Sequence, residues 1–161
     1  SAGVYIVGSC LLSILGYNKD IYNSDVDIAI TDRKIDIRSL FNQGCKIFTM
    51  EKINDNRTIV KYHDEDNGII KFDVFYTDYP INFLVKHFHI PCVRMFFCLS
   101  NYNLYMFPSC LEVINTGIIH HKYIRYHDCP NKILDIIKKY NNYGFNFILP
   151  RKSWEGITFD T

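Results

Sequence analysis

The sequence predicts an α/β (α+β) domain, and three observations carry that expectation. Short β-rich runs and short helical stretches alternate along the first eighty residues. The run Asp25-Val26-Asp27-Ile28-Ala29-Ile30 alternates at the period of a strand with two unlike faces. The stretch Asp64-Glu65-Asp66-Asn67-Gly68 ends on Asn-Gly, a strong hairpin signal. At 161 residues, 48% hydrophobic and 16% aromatic, the chain can bury a core of its own and does not have a disordered composition.

Taken in order, residues 4–7 are a β-rich run ended by Gly8-Ser9, and residues 10–15 have helical character up to Gly16. Residues 25–30 form the alternating strand, and 35–41 a short helix stopped near Gly44. Residues 45–50, 57–63 and 69–76 read as three further strands, the last two joined at the Asn-Gly turn. Beyond Pro80 the pattern predicts a helix over 82–87, then a second hairpin from 92–99 and 104–107. A helix follows over 109–115, with Ser109 as N-cap and Glu112 at capping-box spacing. The clearest amphipathic helix spans 131–140, with Ile133, Ile136, Ile137 and Tyr140 on one side, between Pro130 and Gly144. No repeat, low-complexity tract or linker interrupts the chain. We expect a catalytic core over 1–80 and an extension over 81–161, packed together as one compact unit.

Net charge is +1, but it divides unevenly. Residues 1–80 carry nine Lys/Arg against twelve Asp/Glu (−3), and residues 81–161 carry nine against five (+4). That split suits a site with metals on one side and phosphates on the other, although a difference of this size also arises on ordinary surfaces. The cysteines are scattered with no C-x-x-C pair, and Cys10, Cys98 and Cys110 sit in apolar runs. This is the pattern of free thiols in a reducing, cytoplasmic setting. No apolar run is long enough to cross a bilayer and no signal peptide is visible. The chain has no initiator Met and reads as a trimmed segment, with Ser1-Ala2 as candidate tag residues.

Three features in order point to chemistry: Gly8-Ser9, then Asp25 and Asp27, then Asp73 in Lys71-Phe72-Asp73-Val74-Phe75. Strand alternation projects Asp25 and Asp27 from one face, where two adjacent anions repel unless a cation neutralises them. Asp73, flanked by Phe72 and Val74, points away from an apolar face in the same manner. Mg²⁺ takes one or two carboxylates together with substrate phosphates. A third carboxylate on a neighbouring strand can share a second ion about 3.5–4 Å from the first. Gly8 permits close backbone approach to a phosphate chain, and Ser9, opening a helix, adds a hydroxyl and the positive end of a helix dipole.

This arrangement resembles the signature of the DNA polymerase β-like nucleotidyltransferases over about residues 4–77. A looser likeness is to nucleotidyltransferase-like proteins of large DNA viruses. The resemblance implies a mixed, twisted β-sheet with helices on one side, the nucleotidyltransferase fold, and a small C-terminal extension. It also implies that Asp25 and Asp27 ligate two Mg²⁺ or Mn²⁺ ions and the nucleotide phosphates. Asp73 would hold the second ion and help deprotonate the acceptor hydroxyl, while Gly8 and Ser9 contact the triphosphate. The reaction implied is in-line attack on the α-phosphorus of a nucleoside triphosphate with pyrophosphate leaving. The gap from Ser9 to Asp25 is somewhat long for the pattern, with residues 16–24 as the connecting loop.

Other residues carry weaker signals. Lys71, on the strand face of Asp73, and Arg57 and Lys61, alternating on a nearby strand, are candidates to steady the triphosphate or simply to pair with an Asp. His87, His89 and Cys92, with His120, His121, His127 and Cys129, raise a zinc site, but without ligand-pair spacing the default is ordinary surface or cleft histidines. Arg94, Lys122, Arg125, Lys138, Lys139, Arg151 and Lys152, interleaved with Tyr102, Tyr123, Tyr126, Tyr143 and Trp154, could hold an RNA or DNA acceptor. Against that, Lys138-Lys139 also reads as the solvated side of a helix near its C-terminus. Two rival readings remain: a catalytically inactive binding or regulatory module on the same fold, and an unrelated interaction domain whose D-x-D is accidental.

Overall fold

A computed structural model describes residues 3–17, 25–41, 48–64, 68–125 and 130–150. Its centre is a seven-stranded mixed sheet. The strands are β1 (Val4–Val7), β2 (Val26–Ile30), β3 (Phe48–Asn54), β4 (Arg57–Asp64), β5 (Gly68–Tyr76), β6 (Met95–Cys98) and β7 (Asn103–Met106), in the order β3-β4-β5-β2-β1-β6-β7. Only the β2–β5 pair is parallel; the other neighbours in this sheet run antiparallel. The helices are α1 (Leu11–Ile14), α2 (Ile81–Lys86), α3 (Pro108–Thr116) and α4 (Pro130–Asn142). A small parallel pair, β8 (Ile118–His120) with β9 (Asn146–Ile148), stands apart from the main sheet.

Strand alternation divides the sheet into two faces. Val4, Val26, Ile28, Ile30, Val60 and Val74 turn to the main core, where Leu11 and Leu12 of α1, Cys110 and Val113 of α3, and Ile133 and Tyr140 of α4 meet them. On the opposite face, Val7 and Ala29 form a second, smaller cluster with Val85 of α2. The main core joins both halves of the chain. The Tyr17 ring stacks on Phe145 at 4.2 Å, and its hydroxyl donates to the Ile114 carbonyl at 2.6 Å.

Several boundaries differ from the sequence expectation. The strand expected over 45–50 runs from Phe48 to Asn54, because its length is set by pairing with β4; Cys45 lies outside the described residues. The helix expected over 35–41 is a single 3-10 turn, Ile37–Leu40, capped by the Asp36 side chain accepting from the Arg38 N–H. The strand expected over 92–99 opens instead with a 3-10 turn, Pro91–Val93, and only Met95–Cys98 pairs. Ser109 is not an N-cap. Pro108, with its φ preset and no N–H to satisfy, starts α3 one residue earlier, and Phe107 stands at the cap without a side-chain bond. The other end of α3 is closed by Gly117 in the left-handed region (φ 71°).

Candidate active site

The parallel pairing of β2 with β5 sets Asp27 directly opposite Asp73, on the face away from the main core. Adjacent strands lie about 4.8 Å apart, so two carboxylates meet across the ladder. Asp25 stands one step before the first registered pair, Val26 with Phe72, and its carboxylate receives the Lys71 ammonium at 3.3 Å. On β4, Ile59 is opposite Asp73, so Arg57, two residues along the same face, reaches Asp73 diagonally. The contact is bidentate: Arg57 Nε donates to Oδ1 at 2.9 Å and Nη2 to Oδ2 at 2.7 Å. Lys71 was expected to serve the triphosphate or Asp73; here its partner is Asp25.

Among the described residues no ion pair reaches Asp27, the most enclosed of the three carboxylates. Burial first, then repulsion from Asp73 and Asp25, pushes its carboxyl up from 3.8 to about 6, against the opposing pull of Lys139 and Arg57. Gly8 explains how Asp27 is accommodated. Val7 pairs with Asp27, so Gly8 follows at once with φ at +86°, and a Cβ there would stand 2.5 Å from Asp27 Oδ2. Glycine is therefore demanded twice, by its backbone conformation and by the carboxylate beside it. Ser9 leads into α1, but α1 is a single turn, so the helix dipole expected at Ser9 is small and close backbone approach is what remains. Next to Asp27, burial pushes the Cys10 thiol up to about 11, the behaviour of a structural thiol.

A cavity of about 260 Å³ opens at this point. Gly8, Ser9 and Asp27 line it together with Phe88, Ile136, Lys139 and Tyr140. Sequence reasoning placed Lys139 on a nucleic-acid face or a solvated helix side, and Tyr140 in the apolar stripe of α4. Nothing in local periodicity showed that the last turns of α4 line the same cavity as Asp27. Arg94, also expected on a nucleic-acid face, is buried at 4% exposure. It donates to the carbonyls of Phe88 (3.0 Å), His89 (3.4 Å) and Tyr123 (2.6 Å), so it braces the cavity wall and cannot meet a phosphate. Lys122 lies over the Tyr123 ring. Tyr126, Arg151, Lys152 and Trp154 fall outside the described residues.

The zinc candidates do not assemble among the described residues. His87 Nδ1 lies 2.7 Å from the Phe83 carbonyl and His89 Nδ1 lies 2.8 Å from that of Arg125, while Cys92 is fully buried. His127 and Cys129 are outside the described residues. Cys10, Cys92, Cys98 and Cys110 are free thiols, and no described helix is long and apolar enough to cross a membrane.

The donor set at the carboxylates suits a hard divalent cation: oxygens only, all anionic in their ionised form, with one carboxylate destabilised by burial and by its acidic neighbours. As placed, no three potential ligand side chains among the described residues converge on one point. Asp73 is turned to Arg57 and Asp25 to Lys71. One or two carboxylates are enough for Mg²⁺ when phosphates complete its shell, so the residues fit the ion, with phosphate oxygens supplying the rest.

No protein-family model matches the chain, and no curated protein sequence does. Among solved structures, the chain is similar to the Thermotoga maritima CCA-adding enzyme complexed with tRNA(CCA). The TM-score is 0.62 and the identity 16%, over 91% of this chain and 35% of that one. The chain thus spans about a third of the length of that enzyme. The shared architecture, with its mixed sheet, establishes that this chain has a nucleotidyltransferase-like fold.

Proposed function

We propose that the chain is a metal-dependent nucleotidyltransferase of the DNA polymerase β-like superfamily, moving a nucleoside monophosphate from a nucleoside triphosphate to a hydroxyl acceptor. The observation that carries this reading is the Asp27–Asp73 pair, in register across β2 and β5, with Asp27 beside Gly8 in the lining of a cavity, within a nucleotidyltransferase-like fold.

Asp25, Asp27 and Asp73 would hold Mg²⁺ or Mn²⁺, two ions in the full site. When bound, the ions supply charge neutralisation on the attacking and leaving oxygens. The chain's own residues do the rest. Gly8 lets the triphosphate approach the backbone closely, and Ser9 offers a hydroxyl. Arg57, Lys71 and Lys139 supply cations for the phosphate oxygens. Asp73 accepts the proton of the acceptor hydroxyl as its oxygen bonds to the α-phosphorus; the bond from that phosphorus to the β-phosphate bridging oxygen breaks, and pyrophosphate leaves. Phe88, Ile136 and Tyr140 give the cavity an apolar lining that would help to exclude water.

For the acceptor we favour a nucleic-acid 3′ end. The similar structure is a complex with tRNA, and the second half of this chain is net basic. A non-catalytic binding or regulatory module is the alternative, favoured by the engagement of Asp73 and Asp25 with the chain's own cations. The test is thermal stability with each of the four ribonucleoside triphosphates, with and without Mn²⁺, on wild type and on the double variant Asp25→Asn/Asp27→Asn. A metal-dependent rise in Tm that the double variant lacks supports nucleotide binding at these carboxylates, and transfer to RNA or DNA ends is then assayed. No shift at millimolar triphosphate refutes the proposal, and binding without turnover identifies the module.

A further inference from the structure

We infer that Arg57 is an exchange residue: it occupies Asp73 while the site is empty and leaves it for the triphosphate when a divalent ion arrives, so that metal and nucleotide binding are coupled. The inference rests on the proposed function and adds to it a cause for cooperative loading.

The geometry supplies each part. Arg57 takes both Asp73 oxygens in a bidentate pair, the strongest form of guanidinium–carboxylate contact. Free lone pairs remain on those oxygens, but a divalent ion seated on them would lie against the guanidinium, and like charges at that range repel strongly. Metal at Asp73 therefore requires the guanidinium to move. It is able to move, because the Arg57 side chain is 48% exposed and is held by a diagonal contact from a neighbouring strand, whereas Asp73 is only 18% exposed. A released guanidinium on this face stands beside the carboxylates that would hold the metal–triphosphate complex, and phosphate oxygens offer it the same bidentate match. The net exchange is Asp73–Arg57 for Asp73–metal plus Arg57–phosphate. Either ligand alone loses part of that gain, because metal alone strands the guanidinium and nucleotide alone must draw Arg57 from its carboxylate. Such coupling is reciprocal by thermodynamic necessity.

The test is titration calorimetry on the full chain. Mn²⁺ alone is titrated into wild type, Arg57→Ala, Arg57→Lys, Lys61→Ala and Asp27→Asn. A non-hydrolysable triphosphate analogue is then titrated at saturating Mn²⁺. Without nucleotide, Arg57→Ala is expected to bind Mn²⁺ about tenfold more tightly than wild type, within the usual range of coupling between sites. Arg57→Lys, which keeps the charge and loses the fork, should fall between the two. Lys61→Ala removes a cation from the same face of β4 that is not among the partners of Asp73, and should change Mn²⁺ affinity by about twofold or less. At saturating Mn²⁺, Arg57→Ala should bind the analogue about tenfold more weakly. Arg57 is an exposed strand residue, and circular dichroism of each variant confirms that the fold is kept. Equal Mn²⁺ isotherms for wild type and Arg57→Ala, or equal gains in Arg57→Ala and Lys61→Ala, overturn the exchange while leaving the proposed function standing. Mn²⁺ binding that survives Asp27→Asn unchanged, or is absent from every protein, overturns both.

Discussion

Asp27→Asn at neutral pH, without metal, is expected to make the protein more stable. The Asp27 carboxyl is raised from 3.8 to about 6 by burial and by its two acidic neighbours. A folded-state value above the unfolded one means the native state binds protons more readily. The associated stability is fully present below about pH 4 and is lost as pH rises through about 6. At pH 7 the wild type carries the whole penalty of an ionised, crowded carboxylate. A rise from 3.8 to about 6 corresponds to ~3 kcal/mol of differential interaction between the two protonation states. Relaxation and water penetration trim burial effects of this kind, so the expected gain is ~1–3 kcal/mol, or roughly 3–10 °C in Tm for a chain of this size. The amide keeps the shape and removes the charge. The assay is thermal unfolding by circular dichroism at pH 4, 5, 6, 7 and 8 in the presence of a chelator. Wild type should lose stability between pH 4 and 7 relative to the variant, and the two curves should converge at low pH. Adding Mn²⁺ at pH 7 should reverse the order, because only wild type can use the ion. A variant that melts lower than wild type at pH 7, with a gap independent of pH, would refute the electrostatic account of this carboxylate.

Four other outcomes follow from the structure. Gly8→Ala places a Cβ in a left-handed conformation and within 2.5 Å of Asp27 Oδ2; it should cost at least ~1–2 kcal/mol in unfolding measurements and weaken Mn²⁺ binding as Asp27 is pushed aside. Arg94→Ala removes the donor to the Phe88 and Tyr123 carbonyls, and at ~1–3 kcal/mol for each orphaned group it should lower stability by about 2–5 kcal/mol in urea denaturation. Phe145→Ala deletes a fully buried ring stacked on Tyr17 and should cost ~3–5 kcal/mol by the same assay. Lys139→Ala should leave the unfolding free energy within about 1 kcal/mol of wild type while weakening Mn²⁺-dependent triphosphate binding about tenfold by calorimetry; unchanged affinity would remove Lys139 from the site.

The alternation of Asp27 with its aliphatic neighbours placed its carboxylate on the face away from the apolar core, because the two-residue period of a strand is a property of the backbone; Asp25, expected in the same strand, stands just before β2. The Asn-Gly signal in the sequence likewise anticipated that β4 and β5 pair as a hairpin; they do, from Asp64 opposite Gly68 onward, while Asn67 lies outside the described residues. The existence of α3 was legible too, but its start was not: the expected cap at Ser109 gives way to Pro108 at the first helical position. Long-range register was not legible. Asp27 meets Asp73 because β2 and β5 lie parallel with Val26 opposite Phe72, and that alignment is chosen by which residues of each strand must reach the main core. The same registration decides that Arg57 reaches Asp73 diagonally, while Lys71 turns to Asp25. Lys139 and Tyr140 join the site because the last turns of α4 line the same cavity as Asp27, and Arg94 leaves the surface because three carbonyls, two of them from the neighbours Phe88 and His89 and one from Tyr123, take its donors. Periodicity is a local consequence of backbone geometry. The partner of each side chain is a consequence of the whole chain burying its apolar surface at once, and only the tertiary structure decides it.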